Sequence, residues 1–185
     1  SVLVLYCDTP LVSTESLRDL LKNHRGNSTD CSFLSAELGD PAGYGRVRRA
    51  PDGSVERIAE EPVAPDEKTI REVNAGCYVF RAKKLFDALK KLRQNAVKKE
   101  YYLTEAVALL AEGGRVEAVR VSDPEEIRGV NTRRDLARME DRMRRRLVDR
   151  CMEEGVSFRD PSTVTVDAGV RIGQDTVIYP HTVIE

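Results

Sequence analysis

The stretch Leu3-Val4-Leu5-Tyr6-Cys7-Asp8-Thr9-Pro10-Leu11-Val12 decides how the chain is read. An apolar run over residues 2–5 leads to a carboxylate, and Pro10 then breaks any ladder. A run this apolar, without alternation, predicts a strand buried on both faces of a parallel sheet. Asp8 would then stand at the strand's carboxyl end, where open α/β sheets bind their ligands. A carboxylate there suits a divalent metal held against phosphates. It equally suits a cap on the helix that follows.

Working outward, residues 13–24 carry Leu17, Leu20 and Leu21 at helical spacing, with Ser13 or Thr14 as N-cap and Gly26-Asn27 as the stop. Residues 31–38 form a second strand. Asp40-Pro41-Ala42-Gly43-Tyr44-Gly45-Arg46 sets two glycines around a tyrosine. That is either a loop whose backbone approaches a ligand or a simple turn. Residues 47–50 and 55–61 flank a D-G turn as a hairpin. Its far end carries Glu60 and Glu61, as solvated strand ends or as hydrogen-bond acceptors for a ligand. Residues 62–68 read as a polar, Pro-broken loop. Residues 73–80 are the next strand, led by Asn74, which is either a turn former or a ligand contact.

Two helices follow. Residues 82–93 place Leu85, Phe86, Leu89 and Leu92 on one face, and residues 104–112 run from a Thr104 cap to Gly113-Gly114. Lys98 and Lys99 between them read as solvated. Residues 115–121 alternate polar and apolar, which predicts a half-buried strand near a sheet edge. Gly129-Val130-Asn131 leads into a helix over 133–154, with Leu136, Met139, Met143, Leu147 and Cys151 as its apolar stripe. Its length is about 33 Å at the helical rise. The run Arg144-Arg145-Arg146 is flanked by Asp141 and Asp149, so it reads as a solvated face. One narrow stripe on a charged helix suits an arm between domains. Beyond it Val166, Ile172, Ile178 and Ile184 recur every six residues, and Val170, Thr176 and Thr182 keep the same step. A six-residue aliphatic repeat is the pattern of a parallel β-helix.

The totals bound the function. The 185 residues are 41% hydrophobic and 33% charged with a net charge of -1, which fits a soluble chain and offers no whole-chain attraction to nucleic acid. No apolar run approaches the roughly 20 residues that span a bilayer, so membrane insertion is not expected. Cys7, Cys31, Cys77 and Cys151 make no C-x-x-C pair, and three occupy apparent core positions. They read as reduced residues of a cytoplasmic protein. The sequence opens inside a strand and closes just as the repeat is established, so a longer parent protein is expected on both sides.

In this order the segments resemble the bifunctional N-acetylglucosamine-1-phosphate uridyltransferase/glucosamine-1-phosphate acetyltransferase family. Leu5-Tyr6-Cys7-Asp8-Thr9-Pro10-Leu11 resembles its L-Y-G-D-x-P-L, and residues 40–46 match D-P-x-G-Y-G-R. Glu72-Val73-Asn74-Ala75-Gly76 resembles E-I-N-T-G, and Glu100-Tyr101-Tyr102-Leu103-Thr104 resembles E-Y-Y-L-T. Gly129-Val130-Asn131 matches G-V-N, and Arg159-Asp160-Pro161 resembles the segment before the family's β-helix.

The resemblance implies an α/β fold with three parts. They are a Rossmann-like nucleotidyltransferase domain over 1–131, incomplete at its start; a linker helix over 132–155; and the beginning of a left-handed parallel β-helix over 156–185. It implies a cytoplasmic enzyme, homotrimeric at full length, that makes UDP-N-acetylglucosamine and pyrophosphate for cell-envelope precursors. The substrates are UTP and N-acetylglucosamine 1-phosphate. It implies Mg²⁺ held by Asp8 and Asn131, with Asp8 catalytic through the metal. Tyr6 and the backbone at Cys7 would line the nucleotide-sugar site, and Gly45, Glu60 and Asn74 would contact the sugar. Cys7 stands where the family carries Gly, and Ala75 where it carries Thr. The family's Gly-rich phosphate loop and most of its acetyltransferase half have no counterpart in these residues, so the chain as given is expected not to turn over substrate. The competing readings are another sugar-1-phosphate nucleotidyltransferase, thymidylyltransferase-like, and a non-catalytic trimerisation module.

Overall fold

One strand, fully buried from end to end, organises the first half of the chain. The computed structural model describes residues 1–95 and 99–185, so Lys98 lies outside the described residues, while Lys99 is exposed. Two compact units divide the chain, Ser1–Arg128 and Gly129–Glu185.

The first unit runs β1 (Val2–Leu5), α1 (Thr14–Gly26), β2 (Cys31–Glu37), β3 (Arg46–Arg49), β4 (Val55–Ala59), β5 (Glu72–Phe80), α2 (Ala82–Leu89), α3 (Leu103–Ala111) and β6 (Val116–Arg120). The sheet order is β4-β3-β5-β2-β6, with β1 pairing β5 off that path. All nine residues of β5 are buried. β2 runs antiparallel along one edge of β5, from Cys31 opposite Phe80 to Glu37 opposite Glu72. The other edge is shared. β1 takes its end, Val2 opposite Phe80 to Leu5 opposite Cys77, and β3 meets it at Val73. Between them β5 bulges at Gly76, whose φ is +72°, and the β2 register shifts between Phe33 and Ser35.

Helices cover both faces of this sheet. Phe33, Tyr78 and Phe80 pack with Leu85 of α2 and Val107 and Leu110 of α3 on one side. Leu34, Val73, Cys77 and Val79 pack with Leu20 of α1 and with Ile127 on the other. Each large apolar side chain buried this way contributes about 1.5–3 kcal/mol.

Several expectations are corrected. β1 is neither parallel to its partner nor buried on both faces: it pairs antiparallel with β5, and Leu3 and Leu5 remain 43% and 49% exposed. Only Val2 and Val4 pack on the core, because alternate residues face opposite sides of the sheet. Residues 62–68 are not all loop. A 3-10 turn over Pro65–Thr69 buries Glu67, whose carboxylate accepts from Arg57 at 2.5 Å, Arg48 at 3.3 Å and the Ala64 N–H at 3.2 Å. α2 stops at Leu89, and its buried side chains are Leu85 and Ala88; Phe86 is 57% exposed. Of the predicted face Leu85 and Leu92 meet the core, while Ala88 packs there in place of Phe86 and Leu89. α3 begins at Leu103 with Tyr102 as its N-cap, and Thr104 is buried inside the helix rather than capping it.

β6 lies at the sheet edge, parallel to β2, as the alternation predicted. α1 is capped by Ser13, whose Oγ accepts from the Ser16 N–H at 3.0 Å. Buried Glu126 then ties the α1 start to the chain end of the unit, accepting from the Ser13 N–H at 3.0 Å and the Ser16 hydroxyl at 2.7 Å. Cys31 and Cys77 are buried and Cys7 is exposed.

The second unit begins with α4 (Arg133–Glu153), opened by a capping box in which Thr132 Oγ1 accepts from the Asp135 N–H and Asp135 accepts from the Thr132 N–H. Such a cap is worth about 1 kcal/mol. Met139, Val148 and Cys151 are its buried residues, while Leu136 is 46% exposed. Val148 and Cys151 pack with Val156, Val164, Val166 and Ile178. Two short parallel pairs follow, β7 (Ser157–Phe158) with β9 (Val177–Ile178) and β8 (Thr165–Val166) with β10 (Val183–Ile184). Arg144 is not simply solvated: it donates to the carbonyls of Pro161 and Val164 and to Asp141.

Candidate functional site

The site residues of the first unit gather where β1 ends, β3 begins and β5 bulges. The Tyr6 N–H extends the β1 ladder by donating to the Gly76 carbonyl at 3.2 Å. The Tyr6 ring then lies directly over Gly76, where an added Cβ would come within 2.3 Å of Tyr6 Cδ2. Glycine is required there twice, by that contact and by its positive φ. Two residues on, Asp8 is half-buried, and its Oδ1 is enclosed without a hydrogen-bond partner among the described residues. Cys7, between them, is exposed.

On the other side of the gap, the Asn74 N–H donates to the Gly45 carbonyl at 2.9 Å. Gly45 is buried against the hairpin end. A Cβ there would stand 2.8 Å from Ile58 and 3.3 Å from Glu60 Oε1. The Glu60 carboxylate therefore covers the Gly45 backbone. The neighbouring Glu61 does different work. It accepts from the Gly43 N–H at 3.2 Å and from Arg46 at 3.0 Å, and these two donors hold its carboxyl below the usual range. Arg46 is buried and also donates to the Tyr44 carbonyl. Arg46 and Glu61 thus clamp the glycine loop, leaving Glu60 as the carboxylate beside Gly45.

Asn74 is buried, with Nδ2 donating to the Tyr78 hydroxyl at 2.6 Å and Oδ1 accepting from the Gly76 N–H at 3.2 Å. Tyr78 is fully buried, and its ring centroid is 6.0 Å from that of Tyr6. Burial first, then the nearby Tyr6 phenol, pushes the Tyr78 hydroxyl well above its ordinary pKa, so it stays protonated. Burial likewise raises the Cys77 thiol to about 11, against a hydrogen bond from Thr9.

Tyr6 and Gly45 are thus bonded to one short stretch of β5 that contains Asn74, with Glu60 against Gly45 and with Cys7 and Asp8 following Tyr6 along the chain. Asn131 belongs to the second unit, where it is exposed two residues before α4 and its N–H donates to Asp135 at 3.4 Å. The motif reading overlooked Tyr78; it quoted Arg46 within the glycine-loop motif and weighed Glu61 beside Glu60, but gave neither a part in clamping that loop. Tyr78 had a signal: it lies four residues after Asn74 in a strand, and a buried phenol needs a partner for its hydroxyl.

The donor set at Asp8 fits a hard cation. An enclosed carboxylate oxygen without a hydrogen bond carries an uncompensated desolvation cost that a divalent ion would offset. Among the described residues no group of three or more His, Cys, Asp and Glu side chains could hold a metal. A cleft of about 580 Å³ lies elsewhere, lined by Arg48, Arg49, Glu67 and Glu72 among others. These four charges are engaged in ion pairs, as in the Arg49–Glu72 pair at 2.8 Å.

The model of the nucleotidyl transferase family matches residues 1–124. The chain is 47% identical over 183 residues to the bifunctional protein GlmU of Pelotomaculum thermopropionicum, covering 98% of this chain and 40% of that protein. It is 41% identical to GlmU of Acetivibrio thermocellus and 44% identical to that of Thermotoga maritima, over its whole length and 40% of each. The chain therefore spans about 40% of the length of the curated relatives it matches. With a family match over 1–124, two thirds of its length, the chain belongs to the nucleotidyl transferase family.

Proposed function

We propose that the chain carries the sugar side of a uridylyl transfer. In this reaction a phosphate oxygen of N-acetylglucosamine 1-phosphate attacks the α-phosphorus of UTP. The bond to the β-phosphate oxygen breaks, and UDP-N-acetylglucosamine and pyrophosphate leave. Two anions must be brought together in line, so the protein's task is alignment and charge neutralisation. Mg²⁺, when bound, neutralises phosphate charge. Asp8 would hold it with its enclosed Oδ1, and Asn131 would supply a second oxygen. Tyr6 and the backbone at Cys7 would line the nucleotide-sugar. Gly45 would leave room for the acetamido sugar, and Glu60 and Asn74 would hydrogen-bond its polar groups. All these are neutral or anionic donors and acceptors suited to a hydroxylated ring.

The observation that carries this reading is the meeting of the Asp8 segment with the Gly45, Glu60 and Asn74 group on one edge of β5. The same reading takes residues 132–155 as a linker arm and 156–185 as the beginning of a left-handed β-helix that assembles as a trimer. In its favour, Thr165 pairs in parallel with Val183, a step of three hexapeptides. A cytoplasmic role in cell-envelope precursor synthesis goes with it, and no described helix is long and apolar enough to cross a membrane.

Calorimetry with UDP-N-acetylglucosamine, on the protein at its full natural length, tests the proposal. Binding is expected with Mg²⁺, to weaken by about tenfold or more in chelator, and to lose its metal dependence in Asp8→Asn. Equal affinity with and without the metal, or no heat at all, sinks it.

A further inference from the structure

Asn74 and Glu60 have been given the sugar, yet an asparagine amide is a poor reader of a ligand unless something fixes its plane. Its terminal torsion is broad, and its two ends differ in hydrogen-bonding sense. Here both ends are held. Nδ2 donates to the Tyr78 hydroxyl at 2.6 Å, and Oδ1 accepts from the Gly76 N–H at 3.2 Å. One N–H and one lone pair of Asn74 remain for a ligand, beside the Gly45–Glu60 contact.

The Gly76 bond alone would leave the amide free to tilt, because a single acceptor contact sets one point and not a plane. Tyr78 supplies the second point. Its ring is itself fixed, stacked on Phe80 at 5.6 Å and tilted against Phe33 at 6.1 Å, and fully buried. It has no rotamer freedom to lose when ligand arrives. We propose that Tyr78 is a positioning residue: its buried hydroxyl orients the Asn74 amide, and so sets recognition of the sugar ring without touching it. This rests on the sugar-nucleotide reading of the site. Burial keeps that phenol protonated at any working pH, so it stays a neutral hydrogen-bonding partner throughout.

The test is Tyr78→Phe, which keeps the stacked ring and removes the hydroxyl. In the protein at its full natural length, KM for N-acetylglucosamine 1-phosphate is expected to rise about tenfold, with KM for UTP within about twofold of wild type. In an Asn74→Ala background the same substitution is expected to add less than about twofold, since the group it orients is already gone. The side-chain amide resonances of Asn74 are expected to shift and to exchange faster with solvent in the Phe variant. Additive effects in the double variant, an equal rise for both substrates, or unmoved Asn74 resonances overturn the inference. So does loss of a cooperative unfolding transition, which would make Tyr78 a packing residue. If the wild-type protein shows no turnover and no affinity for UDP-N-acetylglucosamine, the function proposed above fails by itself. The amide resonances then decide the positioning claim alone.

Discussion

A thiol stands in the open between the Tyr6 ring and the Asp8 carboxylate, while Cys31, Cys77 and Cys151 are buried. Iodoacetamide is therefore expected to modify Cys7 alone in the native protein and all four cysteines after unfolding, read by intact mass. The adduct would occupy the ground assigned to the nucleotide-sugar, so affinity for UDP-N-acetylglucosamine with Mg²⁺ is expected to fall about tenfold or more. Cys7→Gly, resistant to the reagent, should keep its affinity. Undiminished binding by the adduct would take Cys7 out of the site. At this scale the motifs were informative about Gly45, Glu60 and Asn74, because a glycine between polar residues and an asparagine heading an apolar strand each demand a reason. They named Glu61 and Arg46 but not the pairing of the two. Which of two adjacent carboxylates an arginine consumes depends on where the hairpin end meets the glycine loop, and that is a tertiary fact.

At the junction of α1 and β2, His24 is buried with Nδ1 3.0 Å from the Thr29 hydroxyl and Nε2 3.4 Å from the Ser1 hydroxyl. Burial, then the positive charge of Arg81, depresses its pKa below 6.5, against the pull of Asp30. The folded state thus refuses a proton that the unfolded chain accepts. Its stabilising effect is complete above pH 6.5 and is eroded as pH falls from there toward the folded value. The thermal midpoint of the wild type is expected to drop between about pH 7.5 and pH 5.5, and that of His24→Gln to stay level across the same window. The carboxylates held low, Glu72 and Glu117, titrate below it. A parallel drop in both proteins would assign the effect to other groups. Element by element, apolar runs and periodic patterns located the helices and strands of the first unit, since burial leaves that trace. They misjudged what depends on partners: the direction of β1, set by β5, and the buried face of α2, set by α3.

Over the whole molecule the charges nearly balance, with 30 basic against 31 acidic residues, so little electrostatic repulsion opposes self-association. β1 pairs only with β5 among the described residues, and Leu3, Leu5 and Tyr6 stand 43%, 49% and 42% exposed beside it. An apolar strand with a free edge is a template for pairing with another chain. This 185-residue chain is expected to scatter light increasingly with concentration, and Leu3→Lys with Leu5→Lys to suppress that at a stability cost of about 0.5 kcal/mol or less. Unchanged scattering would place the sticky surface elsewhere.

The position of β5 along the chain has a consequence for synthesis. The four strands ahead of it are made first, yet Val2 meets its neighbour only at Phe80, and Cys31 meets the same residue. A nascent chain leaving the ribosome must hold β1 and β2 without their β5 pairing until residue 80 emerges, and such delayed, long-range pairing folds slowly. For that interval their apolar residues are what a chaperone would find.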